Sequence, residues 1–213
     1  MAGTKRSEAP QQRAYHHGDV PRAAVAAALR LLDREGAAAV TMTRVAAAVG
    51  VTRPALNRHF GDAAGLAEAV AAACLAGLEE AMRTAVRQVD GDAAAFRAVG
   101  EAYIAWGRRH PRRYGYLFAV DPAALPLPDV RRVLLEDAGE EVPAAFAFAS
   151  PPGVAAVADA AFMPWAAVHG LTLLLTAGPL ADVDEARQDR LVATVLQGVG
   201  AAFGMAPPLV MAA

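Results

Sequence analysis

Two short helical patterns pinched around one glycine constrain this chain more than any other feature. Between Thr41 and Phe60 it reads TMTRVAAAVGVTRPALNRHF. Val45, Ala46 and Val49 fall on one face of a first short helix. Gly50 takes φ > 0 at no steric cost, so the chain can turn sharply there. Thr52 stands where an N-cap hydroxyl catches an unpaired helical N–H, and Pro54 is tolerated in the first turn that follows. The second helix then carries Ala55 and Leu56 inward and leaves Arg53, Asn57 and Arg58 facing a partner. A compact helix that ends a tight turn and displays Arg and Asn is what reading of the DNA major groove needs. The segment reads as a helix-turn-helix.

The rest of the chain suits such a device. Of its 213 residues 55% are hydrophobic, and much of that is alanine, which favours helix and close helix–helix approach. Alternating β-branched runs are nearly absent, so the expected fold is all-α. The net charge of −2 hides an asymmetry: residues 1–60 hold nine Lys/Arg against four Asp/Glu, a net of +5, which leaves −7 for the remainder. A basic head on an acidic body suits a protein that offers one end to a polyanion. One cysteine, Cys74, excludes an internal disulfide framework and a cysteine-based zinc site, and its setting reads as a buried thiol on a helix. No apolar run reaches the about 18 residues of a membrane span, and the N-terminus lacks the apolar core of a secretory signal. The expected setting is a reducing cytoplasm, with no membrane partner.

Along the chain, residues 1–14 read as a flexible polar arm with Lys5, Arg6 and Arg13 free to touch phosphate. Asp19 is positioned to cap a helix with Val25, Ala28, Leu29 and Leu32 on one face, stopped at Gly36. After Gly61-Asp62, the residues Leu66, Val70, Cys74, Leu78, Met82 and Val86 recur every four positions. That spacing predicts a long helix, ending at Asp90-Gly91, that links head to body. Phe96, Val99, Tyr103, Trp106 and His110 predict another, broken by Pro111, and Tyr114 to Val120 a short one. Leu125 to Pro128 reads as a proline-rich connection, residues 129–149 as a helix, and Pro151-Pro152-Gly153 as a break. Helices over about 154–177 and 184–203 follow, separated by Gly178-Pro179.

In this order the chain resembles the TetR family of bacterial transcriptional regulators. The matching segment runs from Tyr15 to about Leu78: YHHGD, then LLDREGAAAVTMTRVAAAVGVTRPALNRHFGD, then Leu66. The body resembles the family's C-terminal type with a Trp-His-Gly signature, here Trp165, His169 and Gly170, and AYIAWGRRHPRRYGYLF (Ala102 to Phe118) resembles it too. The resemblance implies an all-α homodimer of nine or so helices per chain. A three-helix reading head would be joined by a long helix to a helical ligand-binding and dimerisation body. The division expected is an arm over 1–14, a helix-turn-helix domain over 15–61 that extends to about 78 with the start of the linking helix, and a body over 62–213. Two recognition helices would lie about 34–36 Å apart on a palindromic double-stranded operator. A small molecule entering the body would move the linking helix, here Asp62–Val89, and so release a repressor from its operator. A ligand-independent or activating DNA-binding regulator is the alternative.

Two positions depart from the family: Asn57 stands where Tyr is usual, and Ala63 where Lys is usual. Asn57 can instead pair with adenine N6/N7, while Arg53 is the better fit to a guanine edge. Arg44 and Arg58, with the hydroxyls of Thr43 and Thr52, suit phosphates. His59 either touches phosphate or caps the helix, and Phe60 packs inward. The DNA-binding candidates are thus Thr43, Arg44, Thr52, Arg53, Pro54, Asn57, Arg58 and His59. His16 and His17 lack a third ligand, so neither a metal nor a cofactor is expected.

Aromatic residues make up only 6% of the chain, yet many gather in the body. They are either ordinary core or the wall of a pocket for an apolar or aromatic effector. The ligand-binding candidates are Tyr103, Trp106, Phe118, Phe162, Trp165 and His169. Trp165 and His169 are i, i+4 neighbours, and Gly170 permits close approach of another helix. The three either pack the body or dimer seam, the imidazole satisfied by a hydrogen bond, or present His169 to ligand. On the last helix Leu191, Val195, Val199 and Phe203 share a face suited to a four-helix dimer seam. An enzyme is not expected. GVGAAFG has its third glycine one place late for a dinucleotide fingerprint, and no G-x-S-x-G elbow or H-E-x-x-H is present.

Overall fold

A computed structural model describes residues 20–119, 159–202 and 204, with side chains except those of Asp92 and residues 159–162. The expected arm, the Asp19 cap, the Leu125–Pro128 connection, the 129–149 helix and the Pro151–Gly153 break lie outside these residues. So do Phe203 and the side chain of Phe162. The fold is all-α: eight α-helices and one 3-10 turn over the described residues.

Helix α1 (Val20–Glu35) buries Ala24, Ala28, Leu31 and Leu32. Its inner face is rotated slightly from the expected one, since Val25 and Leu29 are only half-buried and Leu31 takes the inner place. Gly36, at φ 89°, stops α1, and its N–H closes on the Leu32 carbonyl at 2.9 Å. After a 3-10 turn at Ala37–Ala39, Thr41 caps α2 (Met42–Val49), its hydroxyl accepting from the Arg44 N–H at 3.3 Å. Gly50 then adopts the left-handed conformation, φ 73° and ψ 27°, and its N–H bonds back to the Ala46 and Ala47 carbonyls. Thr52 caps α3 (Arg53–Phe60) by accepting from the Ala55 N–H at 3.3 Å.

Helix α4 (Ala63–Val86) opens under an Asp62 cap that accepts from the Ala64 and Gly65 N–H groups at 2.9 and 3.0 Å. Its 24 residues span about 36 Å, three residues short of the expected end. The four-residue repeat falls inward as its spacing predicts, burying Leu66, Val70, Cys74, Leu78 and Met82. Burial pushes the Cys74 thiol up to about 12, which keeps it protonated and inert. Helix α5 (Asp92–Arg109) packs along α4, and α6 (Pro111–Ala119) begins on the proline that ends it. Pro111 at the first helical position loses only an N–H that would have had no partner there. Helices α7 (Asp159–Thr176) and α8 (Glu185–Ala202) complete the body against α5. Gln188 staples the turn between them, its Nε2 donating to the Leu180 and Ala181 carbonyls at 2.8 and 3.3 Å.

Head and body share one core. Leu32, Val45 and Leu56 of the head join Leu66 and Val70 of α4, then Phe96, Tyr103 and Tyr114 of the body, in a single buried cluster. Among the described residues no single helix is long and apolar enough to cross a membrane.

Candidate DNA interface and the polar cluster of the body

The candidate reading face is built by contrast with its own inner side. Leu56 is fully buried and Phe60 packs against the core, which fixes the rotation of α3. Arg53, Pro54, Asn57, Arg58 and His59 are then exposed on the outer side, with Thr52 at the helix start and Thr43 and Arg44 exposed on α2. All eight candidates are therefore exposed, on α2, on α3 or at the start of α3. Two of them already have partners within the chain. The Arg44 guanidinium lies 2.8 Å from both carboxylate oxygens of Glu35. Both side chains are more than 40% exposed, so the pair is worth only about 0–1 kcal/mol and a phosphate can compete for the arginine. The Thr52 hydroxyl oxygen is engaged as an N-cap, which leaves its O–H to donate outward.

The body places four of the six expected ligand residues together, around a partner that spacing alone does not single out. Tyr103 of α5, Tyr114 of α6 and His169 of α7 converge. The Tyr114 hydroxyl lies 2.7 Å from His169 Nδ1, the Tyr103 hydroxyl 3.1 Å from it, and the two hydroxyls 3.2 Å from each other. Trp165 stacks on the imidazole at 4.8 Å and 9°, and Phe118 meets it edge-on at 4.4 Å. Trp106 belongs elsewhere: it packs on His110 at 5.3 Å and faces Gly77 of α4. Sequence reasoning misses Tyr114 as a site residue because its three/four neighbours, Leu117 and Phe118, read as ordinary core. No described atom lies within 4 Å of a Cβ placed at Gly170. At Gly107 of α5 a Cβ would meet Thr172 of α7 and the Tyr114 ring, so that glycine lets α5 and α7 approach closely.

Burial pushes both tyrosine hydroxyls up, so they stay protonated. Burial lowers His169, which favours the neutral imidazole, and the tautomer with its proton on Nε2 leaves Nδ1 to accept from a tyrosine hydroxyl. The folded chain thus binds this proton less tightly than the unfolded chain, whose histidine titrates near 6.5. Stability from this group is complete above pH 6.5 and declines as pH falls below it. His169→Gln is expected to flatten the drop in Tm between about pH 7 and 5, followed by circular dichroism. An unchanged slope would assign the drop to other groups, His110 among them, which burial also lowers.

A groove of ≈ 380 Å³ lies elsewhere, between Arg108 and Pro111 on one side and Val183, Glu185 and Gln188 on the other. None of the five expected ligand residues with described side chains lines it. Among the described residues no group of three or more metal-ligating side chains occurs.

Comparison with known proteins agrees with this architecture. The family model "Bacterial regulatory proteins, tetR family" matches residues 24–70. A second, "Tetracyclin repressor-like, C-terminal domain", matches residues 96–199. No curated protein matches the chain. Among solved structures, a protein of unknown function from a Rhodococcus species is similar with a TM-score of 0.64 and 24% identity, over 90% of this chain and 98% of that one. The TetR-family regulator PfmR from Thermus thermophilus gives 0.44 and 18%, over 80% and 97%. The TetR-like regulator LfrR from Mycobacterium smegmatis gives 0.39 and 19%, over 90% and 97%. With a capped helix-turn-helix at one end and a repressor-like helical body at the other, the chain belongs to the TetR family of DNA-binding transcriptional regulators.

Proposed function

We propose that this regulator is a homodimeric repressor that grips a palindromic operator through α2 and α3 and releases it when a small molecule enters the body. The observation that carries the reading is the division of α3. Its inner side is locked by Leu56, and its outer side presents Arg53, Asn57 and Arg58 on a helix capped at Thr52. In this reading the head comprises residues 15–61 with the first turns of α4, and the body residues 62–213. Arg53 reads a base edge, Asn57 a second, and Arg58 with Thr43 and Arg44 sets the register on phosphates. The Tyr103–Tyr114–His169 cluster supports an effector site of neutral hydrogen-bonding groups between aromatic walls.

Dimerisation is supported by Met163, Leu173 and Leu174 of α7, large apolar side chains at 41, 39 and 42% exposure. Val199, expected on the seam, is buried within the chain instead, and Leu191 and Val195 are half-buried. Among the described residues the exposed large apolar side chains therefore come chiefly from α7. Sedimentation at twice the 22.0 kDa chain mass supports the dimer, and a monomer at micromolar concentration contradicts it.

Fluorescence anisotropy of the full chain against its own upstream DNA and a scrambled duplex, over a salt series, tests the function. Preference of about a thousandfold or more for the upstream DNA is expected. Equal, weak binding to both would overturn specific recognition of that DNA. Arg53→Ala should relax base preference at one operator position by about 1–3 kcal/mol in a binding-site selection. By contrast, Arg58→Ala should weaken binding to all sequences and lower the salt slope by about one unit. Unchanged specificity in the first variant, or an unchanged slope in the second, removes the corresponding role.

A further inference from the structure

Helix ends carry a fixed electrostatic preference, acids near the N-terminus and bases near the C-terminus. The meeting of α1 and α6 inverts that preference on both sides. Asp33 lies in the last turn of α1, among carbonyls that disfavour an anion, while Arg112 and Arg113 lie in the first turn of α6, among N–H groups that disfavour cations. Each misplacement is answered across the gap. Arg113 forks onto the Asp33 carboxylate, Nε to Oδ1 at 2.8 Å and Nη2 to Oδ2 at 2.6 Å. Arg112 Nη1 donates to the Asp33 carbonyl at 2.8 Å, capping the end of α1 from another helix. The contact joins residues 79 and 80 positions apart, head to body. The Arg113 guanidinium holds the Asp33 carboxyl below the usual carboxylate range.

The next residue along α6 faces the other way. Tyr114 is fully buried, with its hydroxyl on His169 Nδ1. Two successive residues of a nine-residue helix therefore hold the head on one side and the polar cluster on the other. A helix this short moves as a unit, so a shift at Tyr114 is also a shift at Arg113. We infer that Asp33, Arg112 and Arg113 are positioning residues for the reading head, and make α6 a second connection from body to head beside α4. Loss of the Tyr114–His169 bond then loosens the end of α1, against which α2 and α3 are packed. The regulatory use of this connection rests on the repressor reading; the connection itself does not.

Amide hydrogen exchange on the full-length protein tests it without DNA or effector. Tyr114→Phe removes one hydroxyl and should accelerate exchange over Leu31–Glu35 at least threefold. In an Asp33→Asn background, where the fork is already broken, the same change should add nothing. Equal acceleration in both backgrounds, or none in either, overturns the connection. Should Tyr114→Phe fail to fold, His169→Gln removes the same hydrogen bond from its other end. Arg113→Lys keeps the charge but loses the fork, and should expose Leu31–Glu35 as Asp33→Asn does. Exchanging the two charges, Asp33→Arg with Arg113→Asp, should restore protection; its failure to do so would reduce the contact to packing. A wild-type protein that selects no operator would overturn the repressor reading and leave this result standing.

Discussion

Truncating Leu56 to alanine is expected to cost about 2–5 kcal/mol of folding stability, much of what a domain of this kind has to lose. Leu56 is fully buried, and it is the one residue of α3 buried to that degree. It belongs to the same buried cluster as Val45 of α2 and Leu66 of α4. The cavity left behind would lie beneath the reading face, so α3 would lose its fixed rotation together with its stability. Asn57→Ala, one residue on and exposed, is expected to stay within about 0.5 kcal/mol of wild type while changing operator preference. Urea denaturation of the two variants side by side checks this. A loss below about 1 kcal/mol for Leu56→Ala would mean that the head closes over the gap.

Gly65→Ala is the second large effect. Gly65 lies in the first turn of α4, directly behind the corner by which the chain leaves α3. A Cβ there would run into the Phe60 carbonyl oxygen and lie 3.1 Å from its carbon. Backbone cannot swing aside as a side chain can, so the collision must be relieved by moving α3 relative to α4. Overpacking of this kind costs about 1–3 kcal/mol. The functional loss should exceed the loss of stability, because the displaced element is the proposed reading helix. Gly115→Ala, on α6 with no described atom within 4 Å of the added Cβ, is the matched control. Operator affinity for Gly65→Ala equal to that of the control would show that the corner yields at no cost to recognition.

The parts of this molecule that are legible in the sequence are those written in local rules. The Gly50 turn, the Thr52 cap and the fourfold repeat of α4 need only neighbours within a few residues, and each appears where its pattern stands. The inward set of α1 differs from its pattern by part of a turn, because alanine-rich stretches such as Ala23–Ala24 and Ala26–Ala28 give a weak apolar face. Long-range chemistry is harder to read. Tyr114 looks like core until α7 brings His169 to its hydroxyl, and no apolar periodicity near Asp33 announces a partner on α6. A signal does exist there: arginines in a first helical turn and an aspartate in a last one are placed against their own helix dipoles. Gly65 and Gly107 carry no mark at all, since a helical glycine reveals its purpose only when the neighbouring backbone or side chain is in view.

The core that runs unbroken from α1 into α5 bears on how the protein can be cut and recombined. On its underside the reading unit's Leu32, Val45 and Leu56 share one buried cluster with Leu66, Val70 and Cys74 of α4. Severing the chain at Gly61, where turn and composition invite it, would strip that underside bare. A transplant that gives this reading unit a different sensor must carry α4 as far as Leu78. The recipient's sixth helix must also supply two arginines for Asp33, or the graft will be joined by one helix where the native protein uses two.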